Sequence, residues 1–414
     1  MLKKMLDYAI HNVMYYKNLY SNFSGSNLIE FYEQLPQLQK TEILHNIEDH
    51  TSNEYKKFPQ NRYIDVHYTS GSTGHYLKVL WDRREHLKSS IYLARMRYNY
   101  YGIIPEDKSV SFFTSSYYGN RLVRSTDFKL NFNGKNIEFC KINLTENRLY
   151  NIINMIHDFD PVWFNLQPSI ALILADTYTK YRYLLPKSLR YIELSGEYLT
   201  TQVRVKLESI FHVPIVNLYG CTEANALAFE CPYGHLHCLY QNALIEVYQE
   251  NKSVINQEGN IVITSFINHA MPFIKYAIGD KGRIIIDKNC SCGLETPIIE
   301  LKYGRENSYI LLKNGMQLNV YVLIHIIELA NEQTNGIIEQ FQIIQEKYDK
   351  LTIQLVIKNS YENWKLEIES MFFKFIAEEK AFSDIQWQIK YVQKIYPNEE
   401  TGKVNNFVQL IREE

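Results

Sequence analysis

The chain has 414 residues, 46% of them apolar, which is enough for a large core and roughly two or three domains. Forty-four Lys and Arg face 46 Asp and Glu, a formal net charge of −2 with no block of basic residues, so nucleic acid and membrane surfaces are excluded as main partners. Asp7, His11 and Asn12 interrupt the apolar core a signal peptide would need, no apolar run approaches a membrane span, and six cysteines in so long a chain make no disulfide scaffold. These exclusions predict a cytoplasmic protein.

In chain order, residues 1 to about 60 read as tyrosine-rich helices, with a break and restart at "LPQLQKTEILHN". From 62 to about 230, strand-like runs ("KSVSFF", "PVWFNL", "LRYIELSG", "VPIVNLYG") alternate with helical stretches ("SIALILADTYTKYRYLL", "TTQVRVKLESIF"). Such alternation predicts a mostly parallel sheet covered by helices. Residues 236–303 turn strand-rich ("ALIEVYQ", "GNIVITSF", "KGRIII"), as in a smaller appended sheet. After "YGRENS" the pattern becomes helix ("VYVLIHIIELANEQ"), two strands ("IEQFQIIQ", "KLTIQLVIK"), a long amphipathic helix and a last strand ("IQWQIKYVQ"). The predicted fold class is therefore α/β: a large N-terminal domain of mixed sheets covered by helices, plus a small α+β C-terminal domain.

Five short stretches carry candidate chemistry. In "YTSGSTGHYLKVLW", Thr69, Ser70, Gly71, Ser72, Thr73 and Gly74 precede Lys78. Glycine lets backbone amides approach an anion closely, and the hydroxyls and the ammonium add donors. The spacing is not that of a Walker loop, and a plain hairpin turn is the alternative. In "NLYGCTEA", Thr222 and Glu223 follow a strand-like run and would emerge where open α/β sheets bind ligands. Glu223 could hold Mg²⁺; equally, Thr222 could cap a helix with Glu223 in its first turn. Asp280 in "AIGDKG" could accept hydrogen bonds from a ribose diol or be a turn residue. Arg305 stands where the pattern changes, and Lys403 lies in a polar turn, "ETGKV".

Taken together, TSGSTG, SGE (Ser195, Gly196, Glu197), YGCTE, IGD, GR and the late GK stand in the order and spacing of the adenylate-forming, acyl-CoA synthetase-like superfamily, and the resemblance covers nearly the whole chain. "YAIHNVMYYKNLY", "LPQLQKTEI" and "MPFIKYAIGD" resemble its phenylacetate–CoA ligase branch. The resemblance implies ATP-dependent activation of an organic, aromatic carboxylic acid to an acyl-adenylate, with release of pyrophosphate and transfer to a thiol such as coenzyme A. It implies that Thr69–Gly74 hold the β- and γ-phosphates with Lys78 near them, that Thr222 contacts the α-phosphate, and that Glu223 binds Mg²⁺. Ser195, Gly196, Glu197, Asn217, Tyr219 and Gly220 would line the adenine pocket. Asp280, supported by Arg305, would hold the ribose, and Lys403 would bring charge to the reacting carboxylate and α-phosphate. The implied domains are 1–304, with a small sheet about 228–303, and a mobile lid, 305–414. By position near strand ends, Phe164, Tyr219, Ala224 and Asn225 are candidates for the acid pocket. A homodimer is compatible with the pattern.

Two departures bear on the acceptor. Ser308 stands where the family usually has aspartate, and the usual proline after Gly315 is missing. A carrier protein, an amine or a hydroxyl is the alternative acceptor. A non-catalytic nucleotide-binding scaffold is a further reading, against which Lys403 and Glu223 both stand. Separately, "ECPYGHLHC" and "NCSCG" place Cys231, His235, His237 and Cys238 before Cys290 and Cys292. Soft thiolate and imidazole donors suit structural Zn²⁺, and the phenylacetate branch carries similar clusters. The preferred ligands are Cys231, His237, Cys290 and Cys292, with His235 or Cys238 as substitutes; buried free thiols are the alternative.

Overall fold

The structure is a computed structural model that describes residues 1–57, 64–69, 77–113, 128–141, 144–286, 290–305, 309–313, 317–334, 337–358, 363–378, 382, 384–396 and 404–411. Its main feature is a thirteen-stranded sheet. One half is parallel: Ile215–Cys221, Tyr191–Ser195, Trp163–Leu166, Ser109–Phe113 and Asn136–Cys140 lie side by side, with the antiparallel strand Phe128–Asn131 on the edge. These strands are buried because helices cover them, which is why they read as continuous apolar runs. The helix Pro168–Tyr181 is apolar nearly all round, and Ile170 through Ala175 are all buried. Its neighbour Thr201–Phe211 starts at Thr200, whose hydroxyl accepts from the Val203 amide at 3.2 Å. Ile153, Phe164, Ile170, Ile192 and Leu207 form the core between sheet and helices.

The strand-rich region is not a separate appended sheet. Its strands Ala243–Gln249, Glu258–Ser265, Tyr276–Ile285 and Ile298–Arg305 run antiparallel and join the same sheet through the short strand Leu236–Cys238, where His237 faces Ile298. The hairpin Phe128–Asn131 and Asn136–Cys140 has no counterpart in the sequence reading.

Beyond residue 309, the strands Ile338–Lys347 and Lys350–Ile357 pair antiparallel, flanked in parallel by Phe407–Gln409 and Gln386–Tyr391. The helices Tyr321–Gln333 and Lys365–Glu378 accompany this four-stranded sheet, and Leu323, Ile343, Ile353 and Phe372 fill its own core. Among the described residues no helix is long and apolar enough to cross a membrane.

Candidate nucleotide cleft and thiol–imidazole corner

A cavity of about 280 Å³ opens where the carboxyl ends of the parallel strands meet the C-terminal unit. Gly196, Glu197, Asn217, Tyr219, Gly220 and Asp280 line one wall. Glu339, Phe341, Val404 and Phe407 come from the other. Six residues that the resemblance assigns to a nucleotide, from three separate strands and the loops after them, thus share one cavity.

Internal partners hold these side chains. The Glu197 carboxylate accepts from the Ser169 amide at 2.9 Å and the Ser169 hydroxyl at 2.8 Å, at the start of the helix Pro168–Tyr181. A negative charge there opposes the positive end of the helix. It also accepts from the Val404 amide at 3.0 Å, across the cleft and one residue after Lys403. The Tyr219 hydroxyl donates to Asp280 at 3.0 Å, and the Asp280 backbone is in register with that of Arg305.

Ser195 ends its strand beside this wall. Thr222 and Glu223 sit in the following turn and do not line the cavity. Glu223 is 6% exposed and accepts from the Tyr276 hydroxyl at 2.9 Å. Burial, and then the charge of Glu223, push the neighbouring Cys221 thiol well above its usual range, so it stays protonated. Trp81 Nε1 donates to the Thr222 carbonyl at 2.8 Å, docking the hairpin Ile64–Tyr68 and Lys78–Asp82 onto this turn. Thr69 extends the hairpin: its amide donates to the Leu77 carbonyl and its hydroxyl accepts from the Leu77 amide, both at 3.0 Å. Lys78 is exposed on the hairpin. Ser70 to Gly74 and Lys403 lie outside the described residues.

Phe164 is not a pocket residue. It is fully buried and packs edge-on against Phe211. Asn225 is occupied, donating to the Ser89 and Ser90 hydroxyls at 2.6 and 3.1 Å, and Ala224 is buried. Ser169, Glu339 and Asn405 lie in the cavity wall without having been singled out in the sequence. For Ser169 the "QPS" helix start was a usable signal; for the other two there was none, since facing strands bring them there.

A second constellation lies at the junction of the two sheet halves. The ligand atoms of Cys231, His237, Cys290 and Cys292 all lie within 4.8 Å of one another. Two matching turns present the thiols: the Gly234 amide donates to the Cys231 carbonyl and the Gly293 amide to that of Cys290, both glycines having φ near +80°. Side chains rarely adopt that conformation, so glycine is needed at both turn ends. His237 Nδ1 lies 3.1 Å from the Thr296 carbonyl, an acceptor only, so Nδ1 carries the proton and Nε2 faces Cys292 Sγ at 3.2 Å. Cys231 and Cys290 are free thiols with sulfurs 3.6 Å apart, close to the roughly 3.8 Å between tetrahedral ligands 2.3 Å from a zinc ion. His235 Nδ1 also reaches Cys290, at 3.1 Å. Cys238 points to the other face of its strand, into the core.

Residues 310–409 match the family model of the CapK C-terminal domain. No curated protein matches the chain. Among solved structures, 2-hydroxyisobutyryl-CoA ligase in its postadenylation state, with an R3-HIB-AMP adduct, aligns at 17% identity over 99% of this chain and 88% of its own, with a TM-score of 0.73. The same ligase in its thioesterification state, with 2-HIB-AMP and CoA, gives 0.62 at 18% identity over 99% and 88%. An anthranilate CoA ligase with anthranoyl-AMP gives 0.51 at 17% identity over 82% of this chain and 65% of its own. The chain has the fold of the adenylate-forming ligases, with a large mixed α/β part and a smaller C-terminal domain.

Proposed function

We propose that this protein activates a carboxylic acid with ATP, forming an acyl-adenylate, and passes the acyl group to a thiol such as coenzyme A. The observation that carries the reading is the shared cavity: Gly196, Glu197, Tyr219 and Asp280 on one wall, and the segment following Lys403 on the other, joined by the Glu197–Val404 bond. The acyl-AMP and CoA named for structures of the same fold support it.

In the first step a carboxylate oxygen bonds to the α-phosphorus, the bond to the bridging oxygen breaks, and pyrophosphate leaves. Positioning and charge neutralisation do most of the work in such a transfer. Asp280 holds the ribose through its diol, while Tyr219 and Gly196 frame the base. Thr69, Ser70, Gly71, Ser72, Thr73, Gly74 and Lys78 hold the outer phosphates, Thr222 contacts the α-phosphate, and Lys403 offsets the charge that develops in the transition state. Glu223, a buried carboxylate that accepts from the Tyr276 hydroxyl, is suited to hold Mg²⁺, which would neutralise phosphate charge. In the second step a thiolate attacks the acyl carbon and AMP leaves. We place the domain boundary at 304/305, favour an aromatic acid of the phenylacetate–CoA ligase type, and place the enzyme in the cytoplasm. Ser308 and the missing proline after Gly315 favour a carrier protein, amine or hydroxyl as the second choice of acceptor.

The thiol–imidazole corner is read as a structural Zn²⁺ site. Three thiols and an imidazole of fixed tautomer are the donor set zinc prefers, and four protein ligands leave no open position.

Pyrophosphate release, measured across a library of acids without and then with coenzyme A, tests the function. Acid-dependent release that precedes any thioester supports it. A folded, ATP-binding preparation that releases none with any acid would overturn it.

A further inference from the structure

Charged side chains meet across the seam between the large domain and the C-terminal unit. Lys206, on the helix Thr201–Phe211, places Nζ 3.1 Å from Asp176 on the adjacent helix and 2.8 Å from Glu339 on the strand Ile338–Lys347. Glu339 is 14% exposed and lines the cavity. Burial alone would lower the Lys206 ammonium, but its bonds to Glu339 and Asp176 carry it upward, so it is held charged. Lys394, from the C-terminal unit, is lowered by burial and by Lys206, with Asp176 opposing. Elsewhere in the cavity wall, the Val404 amide reaches Glu197. Among the described residues, these two polar links, formed by residues far apart in sequence, tie the C-terminal unit to the large domain beside the cleft.

We propose that Lys206 is a positioning residue whose bridge to Glu339 latches the C-terminal unit in the arrangement seen here, which holds the adenylate side of the reaction, and is released for transfer to the thiol. The inference rests on the proposed function. The same neighbouring ligase overlays with a TM-score of 0.73 in its postadenylation state and 0.62 in its thioesterification state, so the bridge is observed in an arrangement nearer the first. A bond that exists in one arrangement of two domains biases the equilibrium toward it by its own free energy.

The test is a double-mutant cycle read by amide hydrogen exchange and by the two half-reactions. Lys206→Met and Glu339→Gln should each speed exchange at 404–410 by about 3–5-fold, the effect of one ion pair at the upper end of the surface range. The double variant should do no more than either single change, and Lys206→Arg should stay near wild type. Exchange in the central strand Tyr191–Ser195 should not move, which separates a latch from general destabilisation. Adenylate formation should slow by a similar factor, while thioester formation from supplied acyl-adenylate should not slow. Additive single effects, or unchanged exchange at 404–410 in both single variants, would overturn the latch. Because exchange needs no turnover, it reports the latch even if the wild-type protein activates no acid, so the two readings fail separately.

Discussion

The candidate nucleotide cleft and the thiol–imidazole corner are built on opposite principles. In the cleft, Glu197 just beyond the strand Tyr191–Ser195, Tyr219 near the end of Ile215–Cys221 and Asp280 within Tyr276–Ile285 are spaced around a cavity, and each is steadied by a protein partner. In the corner, four donor atoms converge within 4.8 Å, three thiols from two glycine-ended turns and an imidazole from the strand Leu236–Cys238. A site that must admit and release a large anion keeps its groups apart and spreads the binding over many contacts. On the zinc reading proposed above, a site that holds one small ion for the lifetime of the fold brings its donors to a point. The difference predicts different failures: losing a corner ligand should cost stability, and losing a cleft residue should cost activity.

The largest expected effect is in the corner. Cys290→Ser or Cys292→Ser should lower zinc content and melting temperature together, because loss of a metal is among the few changes that can cost more than about 4 kcal/mol. Metal analysis of the purified protein, paired with thermal melts, checks it; a well-folded wild type without zinc removes the site. Next, Lys403→Ala should reduce adenylate formation by roughly 100-fold, about 3 kcal/mol, while ATP binding persists, since its charge is needed mainly in the transition state. Adenylation within a few-fold of wild type would withdraw the role.

Asp280→Ala should weaken nucleotide binding by about 1–3 kcal/mol, because ribose hydroxyls lose their acceptor. Calorimetric titration with ATP reads this directly, and an unchanged affinity would leave Asp280 a structural residue held by Tyr219 and its other neighbours, with no part in binding the ribose. The smallest effect lies outside both regions and gives a baseline for ordinary surface chemistry. His269 Nδ1 lies 2.8 Å from Glu85, and that bond raises the imidazole above its ordinary value despite partial burial. A raised folded-state value gives stabilisation that is complete below the ordinary histidine range, near 6.5, and fades as pH rises through the folded value. Glu85→Gln should therefore cost more at pH 6 than at pH 9, by about 0.5 kcal/mol. A pH-independent cost would refute the pairing.

Much of the fold was legible because its signals are local. The helix Tyr321–Gln333, the strands Ile338–Lys347 and Lys350–Ile357 and the helix Lys365–Glu378 fall where the apolar period and the short turns put them. The parallel strands through Val110, Phe164, Ile192 and Ile215 were readable as apolar runs, since burial on both faces demands them. Glu197 and Tyr219, near strand ends, could be singled out because a motif sits within a few residues of the strand that presents them; Asp280 also stands in a short motif, but the structure places it inside the strand Tyr276–Ile285 and not in a turn after one.

What the tertiary structure decided concerns partners distant in sequence. His237 facing Ile298 merges the strand-rich region into one sheet, Cys231 meets Cys290 across 59 positions, and Lys206 meets Glu339 across 133. Phe164, at a strand position that local reading could assign to a pocket, turned instead into the core against Phe211. A local pattern specifies which face of an element is apolar, but the element it packs against is selected by the burial and pairing gained when the whole chain closes, and that free energy is not a property of any short segment.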